Sequence, residues 1–223
     1  MCEAWRGSRT MARLCVIRHG QSRWNVEGRI QGQLDVPLSA RGEAEAEATA
    51  VRLREMPLAA VYASPLTRAR STAEVVARRH ALSVRLVPAL TEIDHGDWQG
   101  RTLQEVASAD PDRLRLWSSL PGRVRMPGGE GLFDVRQRAA AALTGIAAAH
   151  PGETVAVVSH EVVIKVIVAE VVGLDYDHLS RIEIDNAALT VIAYADGLPP
   201  RLLTLNDTAH LAGLEERSVS LDA

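Results

Sequence analysis

The chain has 223 residues, of which 47% are hydrophobic and 24% charged, with a net charge of −3. That balance fits one soluble α/β domain or at most two small ones, with a core (roughly 70–75% of the unfolded surface buried at this length) that needs no disulfides or metals. It offers no footing for nucleic acid or an anionic membrane, and the longest apolar stretch, Val162–Val172, is too short for a bilayer and is interrupted by Lys165 and Glu170.

Residues 1–12 read as an N-terminal tail without a signal-peptide pattern, and Met11 offers an alternative start. Of the two cysteines, Cys2 falls in that tail and Cys15 in the first apolar run, which argues against a disulfide and for a cytoplasmic setting. Leu14–Ile17 reads as the first strand. Ser39 caps a helix over Ala40–Glu55 that Pro57 stops. Ala60–Ala63 is a second strand, and Ser64-Pro65 opens a helix to Arg79. Val84–Val87 is a short third strand, and Thr102–Ala109 and Asp112–Trp117 are short helices. Two prolines and four glycines make Ser118–Gly131 a loop. Leu132–His150 is a helix ended by Pro151-Gly152, Thr154–Val158 a fully buried strand, and Glu161–Val172 a helix. Ala188–Ala195 and Arg201–Leu205 read as edge strands, and residues 212–223 as a C-terminal tail. With no internal repeat or long linker, residues 13–211 form one domain. The alternation predicts a three-layer α/β/α sandwich, with a mostly parallel central sheet and helices on both faces.

In such a sheet, the residues just after the strands meet at the carboxyl edge, where open α/β folds place ligands. Here they are Arg18-His19-Gly20, Ser64 to Arg68, and Ser159-His160. A guanidinium beside an imidazole suits a phosphate and a nucleophile, and Gly20 permits a sharp turn. Further along come Gly28-Arg29-Ile30-Gln31-Gly32, Ser64-Pro65-Leu66-Thr67-Arg68, Glu92-Ile93-Asp94-His95-Gly96-Asp97-Trp98-Gln99-Gly100 and Pro127-Gly128-Gly129-Glu130.

Across roughly residues 13–205, these motifs, in this order, resemble the histidine phosphatase superfamily, also called phosphoglycerate mutase-like. The resemblance implies a phosphomonoesterase acting on small phosphorylated metabolites through a phosphohistidine on His19. Arg18 and Arg68 would grip the phosphoryl oxygens, and a protonated His160 would stabilise transition-state charge. Glu92 would act as general acid and then as general base. Ser22, Asn25, Gln31, Gly32 and the backbone of Glu161 would complete the phosphate pocket. No cofactor and no metal is implied. The only expected partner is a small-molecule phosphate monoester, with a homodimer left open.

Two residues depart from the family pattern. Glu161 stands where many relatives have glycine, and His95 where relatives often have an aromatic ring. Glu92-Ile93-Asp94-His95-Gly96 differs from the Glu-Arg-His-Tyr-Gly of phosphoglycerate mutases, and Lys165 is the only lysine, so the chain sides with the phosphatase branch. A cofactor-dependent mutase and a non-catalytic phospholigand-binding module are the alternatives. His95 is a candidate for the cleft against a surface position, Trp24 and Trp98 for its walls or the core, and the 127–130 loop for a cover over the site or an ordinary surface loop. His80 and His150 are expected at helix ends, and His178 and His210 at the surface.

Overall fold

A computed structural model describes residues 10–214; the outer parts of both expected tails, 1–9 and 215–223 with Cys2 among them, lie outside the described residues. Six strands form one sheet in the order β3-β2-β4-β1-β5-β6. They are β1 (Met11–Arg18), β2 (Leu58–Ala63), β3 (Val84–Leu86), β4 (Thr154–Ser159), β5 (Leu189–Ala195) and β6 (Arg201–Asp207). The first four run parallel to one another, and β5 and β6 join antiparallel beside β1. The helices are α1 (Arg23–Glu27), α2 (Ala40–Leu53), α3 (Thr67–Arg79), α4 (Leu103–Ala109), α5 (Pro111–Ser119), α6 (Leu132–Ala149) and α7 (Glu161–Val172).

Strand periodicity divides the core into two layers. Leu14 and Val16 of β1, Ala60 and Tyr62 of β2, and Val155 and Val157 of β4 pack with α6 and α7. The intervening Cys15, Ile17, Val61, Ala63, Ala156 and Val158 pack with α2 and α3. The helices match: Leu132, Val135, Ala139, Leu143 and Ile146 recur every three or four residues along α6. Burial pushes the Cys15 thiol up to about 11, so it serves as a core side chain rather than a nucleophile. Among the described residues no helix is long and apolar enough to cross a membrane.

Several boundaries differ from the sequence reading. β1 begins at Met11, ahead of the expected domain start, and pairs with β5 along that whole length. Of the two expected edge strands, β5 is interior and β6 is an edge, with β3 at the opposite edge. The helix after β2 starts at Thr67 rather than Ser64: its cap position, Leu66, offers no side chain, and Asp35 instead accepts from the Thr67 N–H and hydroxyl, both at 2.7 Å. Ser39 caps α2 as expected, accepting from Gly42 N–H.

Parallel register builds the site. Arg18 pairs with Ser159 and Ala63 with Val158, so His19, Ser64 and His160 emerge side by side. The turn after β1 is then pinned: Gly20 N–H donates to Thr72 Oγ1 and Gln21 N–H to the buried Glu45 carboxylate. The backbones of Gly20 and Gly42 approach so closely that a Cβ on Gly42 would collide with the Gln21 carbonyl. Gly42→Ala is therefore expected to cost about 1–3 kcal/mol. That should lower the midpoint of thermal unfolding by roughly 2–10 °C; an unchanged midpoint in a calorimetric scan would contradict this packing.

Candidate active site

His19 is buried at the carboxyl end of β1. Its Nδ1–H donates to the Gly20 carbonyl at 2.7 Å, while Arg68 Nε–H donates to its Nε2 at 3.3 Å. A carbonyl can only accept and a guanidinium can only donate, so the neighbours fix the neutral tautomer, with the lone pair on Nε2. Burial, followed by the charges of Arg68 and Arg18, holds the His19 pKa well below the ordinary range.

Arg68, projecting from the first turn of α3, is also buried. It donates to the carbonyls of Leu34 and Gly32 at 2.9 and 2.7 Å. Burial lowers its pKa to about 10, which leaves it charged. His160 lies beside His19, ring centroids 5.1 Å apart, and its Nε2 is 2.8 Å from Ser64 Oγ. Its Nδ1 is buried with no hydrogen-bond partner. Burial, Arg68, His19 and Arg18 all depress its pKa, which favours the neutral imidazole.

Arg18 donates through one terminal nitrogen to the Ile184 carbonyl, and through the other it meets Glu161 Oε2 at 3.0 Å. Glu161 Oε1 in turn accepts from Lys165 at 2.7 Å. The sequence reading uses only the backbone of Glu161; the structure turns its side chain into the cavity, where Arg18 and Lys165 compensate the carboxylate. The next amide, Val162 N–H, goes to Glu92 Oε2 at 3.3 Å.

Glu92 is buried, and its Oε1 accepts from Ile93 N–H at 2.9 Å. Burial raises its pKa from the ordinary carboxylate value, against the opposing pull of that amide and of Arg68. Arg138 of α6 fixes its backbone, donating to the carbonyls of Ala89, Thr91 and Glu92. Arg138 also pairs with Glu130 at 2.9 Å, and Glu130 accepts from Asp94 N–H. The 127–130 loop thus braces the Glu92 segment from behind and does not line the cavity, contrary to the covering role expected of it.

Arg18, His19, Arg68, Glu92 and Glu161 share a cavity of about 540 Å³ with Asn25, Arg29, Ile30, Gln31, Gly32, His95, Leu103, Leu114, Trp117, Val162, Lys165 and Leu179 in its wall; His160, fully buried beside His19, does not line it. Of the expected pocket residues, Asn25, Gln31 and Gly32 face it. Ser22 does not: it is fully buried, caps α1 by accepting from Asn25 N–H, and donates to Gln31 at 2.7 Å, so it orients cavity residues instead. His95 is in the wall, edge-on to Trp117, and burial pushes it down to about 4. Trp98 is in the core. His150 closes α6 but hydrogen-bonds Tyr62 and Glu153, and His210 packs on α2 through Thr49. Sequence reasoning missed Trp117, Arg138 and the role of Ser64; only Ser64, the residue immediately after a strand that ends at the site, carried a signal. Among the described residues no group of three or more His, Cys, Asp or Glu side chains is arranged to hold a metal ion.

The family model described as histidine phosphatase superfamily (branch 1) matches residues 14–208. Phosphoserine phosphatase 1 of Hydrogenobacter thermophilus is 36% identical over 201 residues, covering 90% of this chain and 95% of its own. Among solved structures, YhfR of Bacillus stearothermophilus superposes with a TM-score of 0.86 at 35% identity, covering 90% of this chain and 99% of that one. The mycobacterial glucosyl-3-phosphoglycerate phosphatase Rv2419c, solved with VO3, gives a TM-score of 0.81 at 30% identity, over 90% of this chain and all of its own. A match spanning almost every described residue, at this identity and on this fold, places the chain in branch 1 of the histidine phosphatase superfamily.

Proposed function

We propose that this phosphatase hydrolyses small phosphate monoesters by transferring the phosphoryl group first to Nε2 of His19 and then to water, with Glu92 as general acid and then base. The observation that carries the reading is the fixed tautomer of His19: a buried imidazole whose lone pair sits on the nitrogen beside Arg68. The Nε2 pair attacks phosphorus and the P–O ester bond breaks. The leaving oxygen takes its electron pair and the proton of Glu92. In the second step Glu92, now a carboxylate, removes a proton from water. That oxygen attacks phosphorus, and the P–N pair returns to Nε2.

Each group suits its step. Phosphoryl transfer is driven by positioning and by charge placed around the equatorial oxygens. Arg68, and Arg18 through its unpartnered buried Nε, supply that charge. His160 offers a buried Nδ1 without a partner, and a phosphate dianion beside it favours its protonated form. A raised pKa favours the protonated Glu92 that the first step needs. The two guanidinium groups do the work a metal would do, and the free, buried thiol of Cys15 fits a reducing, cytoplasmic compartment. That the mycobacterial relative was solved with VO3, an oxyanion, fits the same placement of charge.

Phosphate release from p-nitrophenyl phosphate is expected to persist in EDTA and to vanish in His19→Ala. Loss in EDTA with recovery on a divalent ion would contradict the metal-free scheme. Isomerisation of 3-phosphoglycerate without phosphate release would point to a mutase instead.

Glu92→Gln is expected to slow the pre-steady-state burst of alcohol release from alkyl phosphates about 10²–10⁴-fold. The burst from p-nitrophenyl phosphate, whose leaving group needs no proton, should slow far less. In the wild type, the alkyl burst should fall as pH rises through the raised pKa of Glu92, because only the protonated carboxyl donates. Equal losses on both esters, or an alkyl burst that rises with pH, would assign the acid to another group.

A further inference from the structure

The cavity leads away from the phosphate-binding groups toward the leaving group, and its wall there has a definite charge character. Four cationic side chains line the cavity: Arg18, Arg29, Arg68 and Lys165. Arg68 is committed to His19 and two carbonyls. Arg29 pairs with Glu27 at 3.0 Å and donates to the Gly100 carbonyl. Lys165 meets Glu161 at 2.7 Å, and the same carboxylate reaches Arg18 at 3.0 Å. His95 is neutral. Of the positive charge near the leaving group, Glu161 thus neutralises the part contributed by Lys165. The remaining wall is apolar, formed by Ile30, Leu103, Leu114, Trp117, Val162 and Leu179.

We infer that Glu161 is a specificity-determining residue that keys this site to phosphate monoesters of uncharged alcohols and discriminates against those whose alcohol carries a carboxylate. The inference rests on the phosphomonoesterase reading above and adds the substrate class. A substrate carboxylate in this cavity meets the Glu161 carboxylate and finds no uncommitted cation. Like charges brought together in a cavity that water only partly screens cost enough to decide between substrates. An uncharged hydroxyl-bearing or apolar group meets no such penalty and packs against the Trp117 wall. The phosphate itself is not excluded, because Arg18, Arg68 and the His19 imidazole also line the cavity.

The test is a matched pair of esters differing only in that group: glycerol 3-phosphate, and 3-phosphoglycerate, in which a carboxylate replaces the hydroxymethyl. Wild-type enzyme is expected to show kcat/KM at least about tenfold higher for glycerol 3-phosphate. Glu161→Gln, isosteric and uncharged, is expected to cut that preference by about threefold or more, by removing the repulsion and releasing Lys165. Lys165→Gln, which strips the carboxylate of a counter-charge, should widen the preference or leave it in place. A wild-type preference below tenfold, a preference in Glu161→Gln that moves by less than threefold, or a narrowing in Lys165→Gln overturns the inference. Hydrolysis of neither ester, nor of p-nitrophenyl phosphate, by the wild type overturns the phosphomonoesterase reading instead, and the substrate class falls with it.

Discussion

The hydrogen bond from His19 Nδ1–H to the carbonyl of the next residue constrains everything else at this site. Imidazole has one proton to place, and the Gly20 carbonyl, 2.7 Å away, claims it for Nδ1. The nitrogen facing Arg68 is then left with its lone pair. For this to hold, the Gly20 carbonyl must not move. Its peptide is therefore fastened on several sides: Gly20 N–H to Thr72, Gln21 N–H to the buried Glu45, and the backbone against Gly42 with no room for a Cβ. Helices α2 and α3, which supply Glu45, Gly42, Thr72 and Arg68, thus anchor the nucleophile as well as burying one face of the sheet. A group held in one tautomer and one orientation needs little reorganisation when it reacts.

The second constraint is electrostatic. Two imidazoles and two guanidinium groups crowd the ends of β1, β2 and β4, and burial withholds the water that would screen them. The imidazoles respond by staying neutral, and Arg68 by a pKa lowered to about 10. The Glu161 carboxylate offsets part of the remaining charge. The same burial acts in the opposite sense on Glu92, where it favours the protonated carboxyl. In the proposed scheme, one environment therefore suits a neutral nucleophile, a charged oxygen clamp and a proton donor, because desolvation opposes charge on acids and bases alike. An entering phosphate dianion is the missing counter-charge.

The architecture was legible wherever local pattern decides it. The apolar runs at 14–17 and 154–158, the Ser39 cap and the three- and four-residue spacing in α6 each specify their element without help from distant residues. The carboxyl-edge residues were legible too, because strand ends in a parallel sheet must face the same way. What sequence could not supply was the direction of side chains whose partners lie far away. Glu161 looks like a first-turn helix residue free to face solvent, yet it turns inward because Arg18 waits about 140 residues earlier in the chain. Ser22 looks like a pocket residue, but its hydroxyl is absorbed by Asn25 and Gln31. Trp117 and Arg138 carry no local mark of the site; α5 and α6 bring them to it by tertiary packing. The start of α3 slipped from Ser64 to Thr67 because Asp35, more than thirty residues upstream, provides its cap.

The most direct test of this account is where the phosphoryl group resides during turnover. Rapid acid-free quenching of the enzyme with labelled substrate, followed by peptide mapping under alkaline conditions, separates the two phosphohistidine isomers. A label on Nε2 of His19, formed and lost at rates compatible with turnover, is the predicted result. A label on Nδ1, on another residue, or no phosphoenzyme at all under conditions of active hydrolysis would contradict the claim that the Gly20 carbonyl sets the nucleophile.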